Sequence, residues 1–247
     1  MDRKERSEDE IPVPPWRRSR RSAPPRRQLS QDLIVETGLR VLDSEGFDAL
    51  SMRRVAQALD TGPASLYAHV AGKEELLELI YERVLGEIRL PERDPARWKE
   101  QLRGYALELH GMFRKHPDVA RAALASIPMG PSSLRAAEFT YGLLVEAGMP
   151  PQEASLAIDR LSLYLVGDAY EGALHVARMR AAGMRDQAEY FESFVAQIVS
   201  YYRSLPMEQF PHLANHVDDL TAADGEDRFH YGLALLLDGI EARMPKS

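Results

Sequence analysis

The chain has 247 residues, 45% of them hydrophobic and 28% charged, with a net charge of −7, a make-up close to the soluble globular average and long enough for one or two folded units. It contains no cysteine, which excludes disulfide scaffolds, thiol catalysis and cysteine-ligated zinc. No apolar run approaches the ~20 residues of a bilayer span and the charged start lacks the apolar segment of a secretory leader, so a cytoplasmic protein without membrane contact is expected.

The charge is spread unevenly. Residues 11–29 carry six arginines (Arg17, Arg18, Arg20, Arg21, Arg26 and Arg27) and no acid, whereas from residue 30 onward acids outnumber bases 33 to 22. With Pro12, Pro14, Pro15, Pro24 and Pro25 among the arginines, residues 1–28 have little apolar surface to offset ordering and are expected to be disordered when free. Such an arm is either a solvated tail or a basic extension for phosphate and minor-groove contacts. The helical segment that it precedes favours the second.

From Ser30 onward helix signals recur without period-2 alternation, which predicts an all-α fold. Ser30 caps a helix to about Glu45, where Gly46 supplies a left-handed stop. Ser51 caps a second, short helix whose Met52, Val55, Ala56 and Leu59 fall on one stripe. Asp60, Thr61 and Gly62 make a turn, and Pro63 opens a third helix to about His69, at the position where its missing N–H costs nothing. After Gly72, residues 73–89 read as an amphipathic helix with Leu77, Ile80, Val84 and Ile88 inward. Further helices are predicted over residues 94–117, up to about 126, from 131 to Gly148, over 154–177, 186–203 and 227–243. The helix over 154–177 is apolar on more than one face and must be covered on several sides. Residues 206–224 read as a polar loop or one short helix.

Two short helices joined by a tight glycine-containing turn, over residues 51–70, have the geometry that places a second helix in the DNA major groove. The residues sharpen this. Ala49-Leu50-Ser51-Met52-Arg53-Arg54-Val55-Ala56, then Gly62-Pro63-Ala64-Ser65-Leu66-Tyr67-Ala68-His69-Val70 and Gly72-Lys73-Glu74-Glu75-Leu76-Leu77, closely resemble the DNA-binding head of TetR/AcrR-type transcriptional regulators. The likeness covers residues 29–89 and sets the divisions: an arm over 1–28, a head over 29–90 and a larger helical domain over 91–247. It implies a homodimer on a palindromic operator, with a C-terminal domain that binds a small-molecule effector and dimerises.

On the residues themselves, Ser51, Thr61 and Gly62 stand at helix N-termini, which attract phosphates. Arg53 and Lys73 are placed for backbone phosphates, and Arg54 is either a third such contact or solvated. The reading segment holds neither acid nor Arg or Lys, so Thr61, Pro63, Ala64 and Ser65 are expected at base edges or thymine methyls and Tyr67 at a phosphate or base. With so little cationic charge there, Arg26 and Arg27 are expected to supply much of the salt-dependent affinity.

The ending Phe229 to Glu241 is similar to the last helix of the tetracycline-repressor subgroup, in which that helix and an earlier one pair with their dimer mates. By that likeness Ile158, Leu161, Leu165, Phe229, Leu233, Leu236 and Ile240 are expected at the dimer interface. His69, also counted among the DNA-binding residues at the end of the reading segment, matches a histidine that reaches the bound drug in that subgroup, or else holds the head to the body by a hydrogen bond; Glu171 falls near the subgroup's magnesium ion. The position of its metal-binding histidine holds Ala123, which speaks against a tetracycline–magnesium ligand. His110, Phe113, Tyr164, Asp168, Glu171 and His175, with His69, are the expected effector contacts, an apolar wall with a few polar anchors. His212, His216 and Asp219 are spaced for one helix face, yet two histidines in a polar loop are ordinarily solvated, and no metal or cofactor is assigned.

A ligand-responsive DNA-binding regulator, most naturally a repressor, is therefore expected. A dimeric binding protein without DNA recognition is the alternative. An enzyme is disfavoured because no GxSxG, GxxxxGK, GxGxxG or HExxH motif occurs and Glu108–His110 and Glu171–His175 miss the di-iron spacing.

Overall fold

A computed structural model describes residues 29–125 and 129–245; the basic arm, including Arg26 and Arg27, lies outside them. Every regular element among the described residues is helical. In the head, α1 (Gln31–Glu45) starts where the Ser30 hydroxyl accepts from the Leu33 amide (3.3 Å) and stops at Gly46, whose φ of 91° lies in the left-handed region. Helix α2 (Met52–Ala58) is capped by Ser51, which accepts from the Arg54 amide at 3.1 Å. Helix α3 (Pro63–Leu66) is one turn long, shorter than expected, because the chain turns at Tyr67 and the Val70 amide closes back on the Leu66 carbonyl. Helix α4 (Lys73–Leu85) ends at Gly86 rather than near Arg89.

The head's core is Ile34, Leu42, Leu50, Val55, Leu66, Leu76, Ile80 and Val84, all fully buried. Gly38 lets α1 and α4 approach, since a Cβ there would stand 3.0 Å from Ile80 and 3.2 Å from Leu76.

Helix α4 carries the chain into the body. A 3-10 turn at Pro95–Arg97, capped by Asp94, leads into α5 (Trp98–Lys115), followed by α6 (Val119–Ala125) and α7 (Pro131–Glu146). Helix α8 (Pro151–Ala181) is 31 residues long, extending beyond the expected segment at both ends. Helix α9 (Gln187–Arg203) begins at an Asp186 cap, and the expected polar loop after it holds two short helices, α10 (Pro211–Asn215) and α11 (Val217–Leu220). The chain closes with α12 (Gly225–Glu241), capped by Asp224. Leu102, Phe113, Leu143, Leu144, Leu161, Phe229, Leu233 and Leu237 fill the body's core. Gly232 lets α12 meet α8 there, since a Cβ would stand 2.5 Å from the Tyr164 hydroxyl.

No helix among the described residues is long and apolar enough to cross a membrane.

Candidate functional site

The reading surface depends on which side chains the short helices bury. Leu66 and Val70 are turned fully into the head, and that burial leaves Gly62, Pro63, Ala64, Ser65 and Tyr67 facing outward, with Thr61 half-buried beside them. Tyr67 is 55% exposed, the one large aromatic on this face. Arg53 is exposed on α2. Arg54 is tied down: its Nε donates to Glu45 at 2.8 Å, and the pair holds the carboxylate below and the guanidinium above their usual ranges.

Lys73 does not point freely outward. Its ammonium lies 4.7 Å above the Phe47 ring and donates to the Phe47 carbonyl at 3.4 Å, while Arg121 of α6 covers the same ring at 4.0 Å. His69 is half-buried, and its carbonyl accepts from the Gln31 side-chain Nε2 at 3.1 Å. No hydrogen bond, ion pair or ring contact among the described residues joins His69 to the effector residues expected on α5 and α8.

Those residues divide into groups. His110 stacks on Phe229, with ring centroids 3.7 Å apart and planes 10° from parallel, and Tyr164 stands against the same ring at 6.0 Å. The Tyr164 hydroxyl donates to the Phe229 carbonyl at 2.8 Å. Asp168 lies 3.7 Å from His110, but burial lowers the imidazole's pKa and raises the carboxyl's, so this approach is not an ion pair near neutral pH. Glu171 pairs with Arg228 at 3.0 Å. His175 is surrounded by Tyr190, Phe191 and Phe194 of α9, at 6.1, 5.1 and 5.2 Å, and burial lowers its pKa too. Phe113 is buried in the core.

Sequence reasoning missed the open space. A cavity of about 220 Å³ lies between α4, α5 and α7, lined by Leu85, Ile88, Leu90 and Ala136 and by the polar side chains of Tyr105, Ser132 and Arg135. A wider cleft of about 600 Å³ lies on the other side of the α4–α7 contact, lined by Gln31, Asp32, Glu36, Glu82 and Arg83 among others. None of the expected effector residues lines either space. These walls come from segments far apart in sequence, and no local motif marks them.

Of the residues expected against a dimer mate, Leu161, Leu165, Phe229, Leu233 and Ile240 are buried in the chain's own core, while Ile158 and Leu236 are half-buried. Within the single chain, α8 and α12 pack on α5 through this stripe. The apolar side chains that α8 and α12 leave open are Leu156, Leu163, Tyr231 and Leu235. His212 and His216 stand with rings 6.5 Å apart, but the helix breaks between Asn215 and Val217, so the spacing of His212, His216 and Asp219 does not continue along one helical face.

Comparison with known proteins agrees with this architecture. Residues 34–80 match the family model described as bacterial regulatory proteins, tetR family, and residues 90–244 match that of the tetracyclin repressor-like C-terminal domain. The HTH-type transcriptional repressor DrrR1 of Streptomyces coeruleorubidus is 33% identical over 92% of this chain and 83% of its own. The class E tetracycline repressor of Escherichia coli is 26% identical over 88% of this chain and 93% of its own. Among solved structures, the Streptomyces coelicolor TetR family protein ActR in complex with actinorhodin is 39% identical, covers 89% of this chain and 98% of its own, and superposes with a TM-score of 0.77.

Proposed function

The chain belongs to the tetR family of bacterial regulatory proteins, and on that premise we propose that it is a repressor that holds a palindromic operator as a homodimer and is released by a small-molecule effector. The observation that carries this reading is the outward row Gly62, Pro63, Ala64, Ser65 and Tyr67 on a helix-turn-helix held rigid by Leu66 and Val70. Residues 29–90 are the reading head, 91–247 the effector and dimer domain, and 1–28, with Arg26 and Arg27, a basic arm for phosphates. Ser51, Arg53, Thr61 and Lys73 position the head on the backbone. Lys73 must leave the Phe47 carbonyl to do so.

The dimer forms through Leu156, Leu163, Tyr231 and Leu235, with Ile158 and Leu236 at the margin. The effector binds best when the two heads are wrongly spaced for successive major grooves, about 34–36 Å apart, and so shifts the population off DNA. Its seat is the cavity between α4, α5 and α7, where the apolar side chains Leu85, Ile88 and Leu90 meet a phenol, a guanidinium and the Ser132 hydroxyl that can fix a ligand's orientation. A second seat, at His110, Tyr164, Asp168 and His175 beside Glu171, is favoured by the shifted titrations of those first four groups. The protein acts in the cytoplasm, without cofactor or catalysis.

The test is an anisotropy titration against DNA from immediately upstream of the protein's own gene, at two salt concentrations, with scrambled DNA as competitor and then with actinorhodin, the ligand in the ActR complex, as the first probe. Competitor-resistant binding by a dimer supports the regulator reading. Weak binding indistinguishable from scrambled DNA, also in a selection of genomic fragments, rejects it. Loss of probe response in Arg135→Ala, against loss in His110→Ala, decides between the seats.

A further inference from the structure

We propose that Arg180, in the last turn of α8, is the positioning residue that sets the angle of the reading head against the body. Its guanidinium joins three segments. Nη1 donates to the Asp118 carboxylate just before α6 at 2.9 Å, and Nη2 donates to the Asp43 carbonyl near the end of α1 at 3.0 Å. Asp118 is only 4% exposed, so without the guanidinium it is a buried charge lacking its ionic partner.

The head is shaped to receive this group. Helix α1 has no basic residue in its own last turn, and its C-terminal carbonyls carry partial negative charge that a cation offsets. Arg180 supplies that cation from another domain. At the left-handed corner after α1, a Cβ on Gly46 would stand 3.2 Å from Arg180 Nη1, so the corner lies directly against the guanidinium. The Asp43 carboxylate is taken by His116 Nδ1, at 2.9 and 3.0 Å to its two oxygens. Asp43, His116, Asp118 and Arg180 thus close one polar knot across the seam between head and body.

The same helix carries the proposed dimer face and the second of the two effector seats as well as the grip on the head. Leu156 and Leu163 are on its open face, Asp168, Glu171 and His175 come next, and Arg180 grips the head. A helix rises about 1.5 Å per residue, which places Arg180 roughly 18 Å beyond Asp168 along one rigid rod. A shift of α8 against its neighbours therefore moves the end of α1 directly. The fork geometry matters as much as the charge, because a guanidinium reaches two acceptors in fixed directions and an ammonium does not.

The inference rests on the regulator reading for its consequence, but its geometry is testable without DNA or effector. The chain has no native cysteine, so Gln57→Cys on exposed α2 and Glu153→Cys at the exposed start of α8 provide a unique pair for spin labels. The full-length labelled protein is diluted with an excess of unlabelled chain, and the head-to-body distance is read by pulsed dipolar EPR.

With Arg180 intact, a narrow distribution is expected. Arg180→Lys, which keeps the charge but not the fork, is expected to broaden or displace it, and Arg180→Ala more so; Asp118→Asn provides a further variant should Arg180→Ala fail to fold. Operator affinity is expected to fall about tenfold in Arg180→Lys. Distributions in Arg180→Lys and Asp118→Asn that match the parent overturn the proposal. Absence of operator binding by the unsubstituted chain instead counts against the regulator reading and leaves the EPR result standing.

Discussion

The carboxylate of Glu82, on the last helix of the head, accepts hydrogen bonds from the backbone amides of Ser132 at 2.7 Å and Ser133 at 3.1 Å, and from the Ser133 hydroxyl. Glu82 thus does for α7 what an N-cap side chain does, from another domain, since Gly130 at the cap position has no side chain to offer. Helix α4 is thereby bound to the start of α7, between the two open spaces at the seam.

Glu82→Ala leaves those two amides without their acceptor and is expected to cost about 1 kcal/mol, in line with loss of a cap. For a chain of this size that is a fall of roughly 2–4 °C in thermal midpoint. Gly130→Ala is expected to act through the same contact, because its Cβ would overlap Glu82 Cδ. Calorimetry of both variants checks this, and a double variant no less stable than either single one would identify the shared contact.

Arg53 and Arg54 are neighbours in sequence with different expected parts in binding. Arg53→Ala is expected to reduce the slope of log affinity against log salt by about 1, the loss of one phosphate contact. Arg54→Ala is expected to leave it nearly unchanged, since that guanidinium is held by Glu45. Titrations at several salt concentrations separate the two.

Burial, with Arg114 adding to it, lowers the pKa of His110, and burial lowers that of His175. A lowered histidine pKa contributes stability that is present in full above the unfolded value of about 6.5 and is lost as pH falls through the folded value. Asp168 is shifted the other way, chiefly by burial; its contribution is present below the ordinary carboxylate value and lost as pH rises through the raised one, so it acts in the opposite sense to the histidines. His110→Phe keeps a ring against Phe229 and is expected to flatten the fall in thermal midpoint below pH 6.5. An unchanged profile would assign that fall elsewhere.

Leu163→Asp and Leu235→Asp alter side chains that are open in the single chain, and both are expected to yield folded monomers by sedimentation. Leu165→Ala, two residues on from Leu163 but fully packed, is expected to cost about 2–5 kcal/mol of folding stability instead. Dimers that persist in both aspartate variants would move the interface to another face.

What the sequence disclosed and what it withheld divide along contact range. Ser30, Gly46, Ser51 and Pro63 act within one turn of their own position, so the head's helices are legible from them. Helix α8 is legible as a helix but not in rotation, because apolar side chains on several faces leave the buried stripe undetermined until α5 and α12 are in place. That is why the sequence alone does not tell that Leu161 and Leu165 are packed within the chain while Leu163 is open. The seam is hidden for a related reason: Glu82 with Ser132, and Arg180 with Asp118, join residues 50 and 62 positions apart, and no periodicity reports such a pair.

The most direct measurement is a hydroxyl-radical footprint of the purified dimer on a DNA fragment selected by the protein itself. The account predicts two protected half-sites about one helical turn, roughly 34–36 Å, apart and related by a near-palindrome, with protection lost when Ala64 and Ser65 are replaced by glutamate. A single protected patch, or protection that the glutamate variant retains, would contradict it.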